Sequence, residues 1–192
     1  KAAQTIVIVV LTLLFFSSCG NRFSLDNYFR RTRGKPELPG TSSAFILNML
    51  RFEIVNIYFF CGIAKMTYPD WISGTTFARV LNGRWATPIG LYISSWKPDL
   101  LARIGGLGTV LFELSQGFLL LIPATRYYAI LIGIGFHSGI QATLYIGSLG
   151  AHFILALVCL FPQPEHVATL YEKIASGESL FSILRAFAHD RS

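Results

Sequence analysis

Residues 42–66 read SSAFILNMLRFEIVNIYFFCGIAKM. Only Arg51, Glu53 and Lys65 carry charge in this run, and its length meets the about 20 mostly apolar residues that a helix needs to cross a bilayer. Further apolar blocks cover Ala2–Cys19, Leu100–Pro123, Tyr127–Gln141 and Leu144–Phe161, the last two nearly fused. In lipid each backbone N–H and C=O must be paired within its own segment, so such blocks fold as helices. A membrane β-barrel would show short alternating segments instead, and none is visible. The expected fold is therefore all-α, a polytopic transmembrane bundle of about five spans. The partly apolar stretch Trp71–Trp96 is expected to form short interfacial helices, with Trp71 and Trp85 at the level where aromatic residues gather.

Composition agrees with that class. Of 192 residues, 53% are hydrophobic and 14% charged, against about 25% charged in a soluble domain. The net charge of +6 would suggest nucleic acid in a soluble chain. Here the basic residues gather beside the apolar blocks, so membrane lipids are the expected partners and nucleic acid is not. Arg22, Arg30, Arg31, Arg33 and Lys35 oppose only Asp26 across Arg22–Lys35, which reads as a cytoplasmic loop under the positive-inside bias. The tail after Phe161 then shares that side and Thr67–Asp99 faces outward, although Arg79, Arg84 and Lys97 weaken the asymmetry. The expected location is a multi-pass integral membrane protein, with the bacterial cytoplasmic membrane favoured.

Residues 1–162 read as one membrane domain and 163–192 as a short amphipathic surface tail, with helices over Glu165–Ala175 and Ser179–Ala188 parted by Gly177. Cys19, Cys61 and Cys159 form no C-x-x-C pair and read as buried thiols in lipid. No metal site is expected. The apolar start at Lys1 is open to three readings: a signal peptide ending near Cys19, a first span, or a piece of a longer chain. The third is favoured.

Ionisable groups inside spans are costly and usually face the bundle interior. Arg51, Tyr58 and Lys65 recur every seven residues and so share one stripe of a helix. Arg51 or Arg103 pairing with Glu53 or Glu113 would hold helices together. His137 and Gln141, spaced i, i+4, share a face and could donate to a developing anion. A lone His137 is more often an interior hydrogen-bonded histidine. Read from the residues alone, Lys65 snorkels to the interface; buried and neutral, it could act as a base. Gly105-Gly106-Leu107-Gly108 and Gly133-Ile134-Gly135 permit close helix approach.

Three segments resemble the horizontally transferred transmembrane (HTTM) domain, the membrane domain of the vitamin K-dependent γ-carboxylase family. They are Tyr58–Met66 followed by Pro69-Asp70-Trp71-Ile72-Ser73-Gly74, Glu113–Leu120, and Gly135–Gln141 with Ile146-Gly147. They come in the family's order over roughly Phe45–Pro162. The resemblance implies that Lys65 is the base that deprotonates reduced vitamin K, with His137 in the same site. Gln141, Tyr58 and Trp71 are expected to contact the quinone, the first by its spacing beside His137. The implied cofactor is reduced vitamin K or another quinol, and Lys65 is then expected to face a cavity near His137. The carboxylases carry a large extramembrane domain after the bundle, whereas only a short tail follows Phe161 here. Fold can carry over without function. Two other roles stay open: a non-catalytic accessory subunit of a photosynthetic or respiratory membrane complex, and a maturation or immunity partner for a secreted peptide. A quinone-sized cavity at Lys65 separates the enzyme from a solidly packed subunit.

Overall fold

Prolines set many of the helix starts. A proline at the first helical position loses no intrahelical bond and has φ preset for a helix. In a computed structural model, which describes residues 8, 11–12, 15, 25–38, 44–96 and 98–177, helices open at Pro69, Pro88, Pro98, Pro123 and Pro164. The elements are α1 (Leu25–Thr32), α2 (Ala44–Met66), α3 (Pro69–Ile72), α4 (Thr75–Leu81), α5 (Pro88–Ser94), α6 (Pro98–Leu121), α7 (Pro123–Thr143), α8 (Leu149–Leu160) and α9 (Pro164–Ala175). Among the described residues the regular elements are all helices, with one isolated bridge between Ala86 and Leu144.

Two of these helices, α2 and α6, are long and apolar enough to cross a membrane. Among the described residues these two alone reach that measure, so the expectation of about five spans is met only in part. α7 has the length, but Arg126, His137 and Gln141 lower its apolarity. α8 has 12 residues, about 18 Å, because 144–148 form a link in which Gly147 takes φ 67°. Block Ala2–Cys19 lies almost wholly outside the described residues, as do Cys19, Arg22, Lys97 and Ser179–Ala188.

α2 packs against α6, α6 against α7, and α7 against α8. Their shared core holds Ile54, Val55, Tyr58, Leu120, Leu157 and Phe161. Large apolar side chains such as Phe52, Phe60, Ile104, Phe118, Leu131 and Leu155 stay exposed on the outer faces of all four helices. An outer surface of that kind is compatible with a membrane protein. Cys61 and Cys159 also lie exposed, not buried as expected.

The stretch after α2 forms the expected short helices, which pack on α6 and α7. Gly74, at φ 86°, turns the chain from α3 into α4. Thr87 caps α5 by accepting from Gly90 N at 3.1 Å, and its hydroxyl donates to Ala142 O at 2.7 Å. Thr87 N also donates to Thr143 O, and Tyr145 N to Trp85 O. Within the basic segment read as a loop, Leu25–Thr32 is a helix. Asp26 in its first turn and Arg30 and Arg31 in its last suit the helix dipole. Tyr127 hydrogen-bonds His166 and fastens α9 to α7.

Candidate functional site

Glycines bring the site together. A Cβ at Gly62 would lie 2.9 Å from Leu114 N, and one at Gly117 would lie 3.1 Å from Val55 O. Two glycines, one on each helix, thus let α2 and α6 approach to backbone contact. Lys65 stands one turn after Gly62, and Glu113 is the residue before Leu114. Close approach therefore sets the two charges side by side.

Lys65 Nζ donates to Glu113 Oε1 at 2.8 Å and Oε2 at 2.6 Å. The side chains are 22% and 13% exposed, so this is an inward-facing pair and not a snorkelled lysine. The Lys65 ammonium also stands 5.3 Å from the Trp71 ring centroid, a cation–π distance. One helix over, Tyr58 Oη and His137 Nε2 share a hydrogen bond of 2.6 Å, whose direction follows the imidazole tautomer. Both residues are buried. Phe153 of α8 stacks on the His137 ring at 4.6 Å, and Phe112 meets Tyr58 edge-on at 5.8 Å. Phe112 in turn stacks on Phe136 at 3.9 Å.

Both polar pairs line one partly open cavity of about 620 Å³, with Trp71 also in its wall. The rest of the wall is mainly apolar. Gly108, Gly135 and Gly139 contribute to it, and a Cβ at any of the three meets nothing within 4 Å. Small-molecule sites commonly have volumes of roughly 300–1,000 Å³, mostly apolar walls and a few converging polar groups. The residues present fit a flat, hydroxyl-bearing aromatic ligand. Glu113 can accept from a hydroxyl, the Lys65 ammonium can lie beside an anion, and the aromatic side chains can stack on a ring.

The residues singled out in the sequence divide here. Lys65, His137, Tyr58 and Trp71 share the cavity wall, and Glu113 joins them. Gln141 does not. It is exposed, and its Nε2 donates to Gly147 O at 2.6 Å, satisfying a carbonyl in the link after α7. The i, i+4 spacing from His137 was sound, but the chain leaves the helix two residues later and the link captures the amide. The expected pairing of Arg51 or Arg103 with Glu53 or Glu113 is also corrected. Glu113 is taken by Lys65. Arg51 Nε donates to Leu160 O at 2.6 Å, at the C-terminal end of α8. Arg103 is exposed and Glu53 half-buried, and among the described residues neither forms an ion pair.

Three aromatic residues of the site, Phe112, Phe136 and Phe153, escaped the sequence reading. Phe112 and Phe136 adjoin Glu113 and His137 in the chain, a signal that could have found them. Gln116, inside the Glu113–Leu120 segment, is fully buried and donates to Ala129 O at 2.8 Å. It ties α6 to α7 and does not line the cavity.

The chain belongs to the HTTM domain family: the family model matches residues 4–166. The match starts well ahead of the three motif segments and ends just beyond them. No solved structure matches the chain.

Proposed function

We propose that this HTTM domain protein is a multi-pass membrane protein whose cavity takes a quinol, and that the Lys65–Glu113 pair receives a proton from the quinol hydroxyl. The observation that carries the reading is the pairing of Lys65 with Glu113 on the wall of a quinone-sized cavity.

A paired lysine needs a different account of the proton from a free one. In the ion-pair state the ammonium has no lone pair to offer, whereas the Glu113 carboxylate does. A hydroxyl proton can pass to a Glu113 oxygen while Lys65 keeps its charge beside the anion left behind. Stabilising charge as it develops is the larger part of such catalysis. Lys65 is then the electrostatic partner and Glu113 the first acceptor, so the two act as one base. Tyr58 and His137 offer a second polar contact, and Trp71 shields the ammonium. A bound quinol would itself supply the redox chemistry.

The membrane reading draws on the family, on α2 and α6, and on the apolar outer faces. Under the positive-inside bias the basic segment before α2 is cytoplasmic, so Lys65, at the far end of α2, lies toward the outer side. The bacterial cytoplasmic membrane suits that arrangement.

The test is oxidation of reduced vitamin K, and of other quinols, by dissolved O₂ as the electron acceptor in the presence of full-length protein in lipid. Glutamate substrate is left out, so that the readout is the quinol step alone. Product should form with wild type and fall at least about a hundredfold in Lys65→Ala and Glu113→Gln, the scale of general acid–base loss. A folded sample inert toward every quinol would overturn the reading in favour of an accessory subunit.

A further inference from the structure

Another cavity, of about 400 Å³, lies near the opposite end of α2. Arg51 and Arg126 line it together with Met49, Phe52, Val55 and Leu121. Arg51 precedes Lys65 by 14 residues, about 21 Å of helix, so this cavity is remote from the Lys65 site.

Both guanidinium groups are held in place by helix ends. Arg51 Nε donates to Leu160 O at 2.6 Å, and its Nη1 to Asn48 Oδ1 at 3.4 Å. Arg126 Nε donates to Leu120 O at 3.0 Å and its Nη2 to Leu121 O at 3.2 Å. A guanidinium has five N–H donors, so each arginine keeps donors beyond those used here. The ion pairs among the described residues are Arg31–Glu37 and Lys65–Glu113, and neither reaches this cavity. Among the described residues, two fixed cations therefore share an apolar recess without a carboxylate. Charges held in apolar surroundings need a counter-charge.

We infer that this cavity binds the phosphate of an anionic phospholipid. A guanidinium fork matches phosphate oxygens in pairs. The apolar walls favour a lipid over free phosphate: Phe52 and Leu121 are 58% and 50% exposed at the rim and can lie against an acyl chain. Arg51 and Arg126 stand where α6 and α8 end, at Leu121 and Leu160, and α7 begins, at Pro123, so the recess lies at one end of the bundle, the level of headgroups. The basic segment Arg30, Arg31, Arg33 and Lys35 leads into this end of α2, and basic pockets on the cytoplasmic side of membrane bundles recognise anionic headgroups. The inference rests on the membrane reading above but not on the chemistry at Lys65.

The experiment is native mass spectrometry of the full-length protein in neutral detergent, offered phosphatidylglycerol, phosphatidylcholine or inorganic phosphate. Phosphatidylglycerol should be retained about tenfold better than phosphatidylcholine, a difference of about 1.4 kcal/mol. Arg51→Gln and Arg126→Gln should lose that preference, while the remote Arg103→Gln keeps it. Because both glutamines also remove contacts to helix ends, Leu121→Trp serves as the second variant. It obstructs the recess with both arginines intact and should lose the preference too. Equal retention of the two lipids, or wild-type preference in all three cavity variants, would overturn the inference. So would displacement of phosphatidylglycerol by millimolar phosphate, which would mark a free-anion site. Release of the protein from membranes by alkaline carbonate alone would instead sink the membrane reading, and this inference with it.

Discussion

Replacing Lys65 by Met removes one partner of an inward-facing ion pair and leaves the Glu113 carboxylate without its cation. Breaking a fully buried pair in this way costs about 3–5 kcal/mol. The Lys65 and Glu113 side chains retain 22% and 13% of their exposure, so some solvent screening remains and about 2–3 kcal/mol is expected here. For a chain of this length that loss lowers the melting temperature by about 5–10 °C. Glu113→Leu should lose a similar amount by stranding the ammonium. The double variant Lys65→Met/Glu113→Leu removes both charges and fills the space with apolar atoms. It should return to within about 1 kcal/mol of wild type, as apolar replacements of buried pairs often do. The assay is thermal unfolding of all four proteins in one lipid mixture. If the two single losses simply add in the double variant, the residues do not interact and the site as described is wrong. The double variant also separates two roles of the pair, because it should be as stable as wild type yet inert toward quinols.

Tyr58→Phe deletes one end of the 2.6 Å bond to His137 and leaves a buried imidazole nitrogen unpaired. A loss of about 1–3 kcal/mol in denaturant unfolding is expected, and His137→Gln, with Tyr58 in place, should lose less because it keeps a polar partner for the hydroxyl. Gly135→Leu places a side chain in open cavity space without meeting a neighbour. It should unfold at the wild-type temperature within a few degrees but abolish the binding of a fluorescent quinone analogue. Gly106→Ala is the contrary case, because its Cβ would strike the Trp71 carbonyl. It should lower the yield of folded protein several-fold, as read by size-exclusion chromatography. Gln116→Ala, which opens the contact between α6 and α7, should destabilise by about 2 kcal/mol with quinol binding intact in the folded fraction.

The class of the fold was legible because its signals are local. Runs of apolar residues became helices, and Pro69, Pro123 and Gly74 stop or turn the chain where proline and glycine should. The lengths of individual helices were not legible. An apolar block such as Leu144–Phe161 gives no notice that Gly147 will take a left-handed turn and shorten its helix to Leu149–Leu160. At the site, the stripe from Tyr58 to Lys65 followed from helical period, but the partner of Lys65 did not. Two carboxylates, Glu53 and Glu113, were visible as partners for the cations. The choice of Glu113 depended on how α2 and α6 rotate against each other, which Gly62 and Gly117 decide by contact across helices. Arg126 was missed for a related reason. It falls between the expected third and fourth spans, where a basic residue is unremarked, and it becomes notable only when α7 starts at Pro123 and places it beside Arg51.

The glycines bear on the choice between a ligand-binding protein and a subunit that only packs. On α6, Gly105 and Gly106 would clash with Phe77 and with the Trp71 carbonyl, so their lack of a side chain admits neighbouring elements. Gly108, half a turn away, admits nothing: a Cβ there meets open space, and so does one at Gly135 or Gly139. Gly in a helix interior costs about 1 kcal/mol relative to Ala, and a wall without side chains forgoes the dispersion contacts that fill a core. Close helix packing offsets that loss at Gly106, Gly62 and Gly117, but among the described residues no contact does so at the three cavity positions. Alanine or leucine at those positions would suit a solidly packed subunit better on both counts. The open space they leave is bounded by the Lys65–Glu113 and Tyr58–His137 pairs. A bound molecule is the natural source of the missing contacts, which favours the quinol-binding reading over a subunit with no ligand.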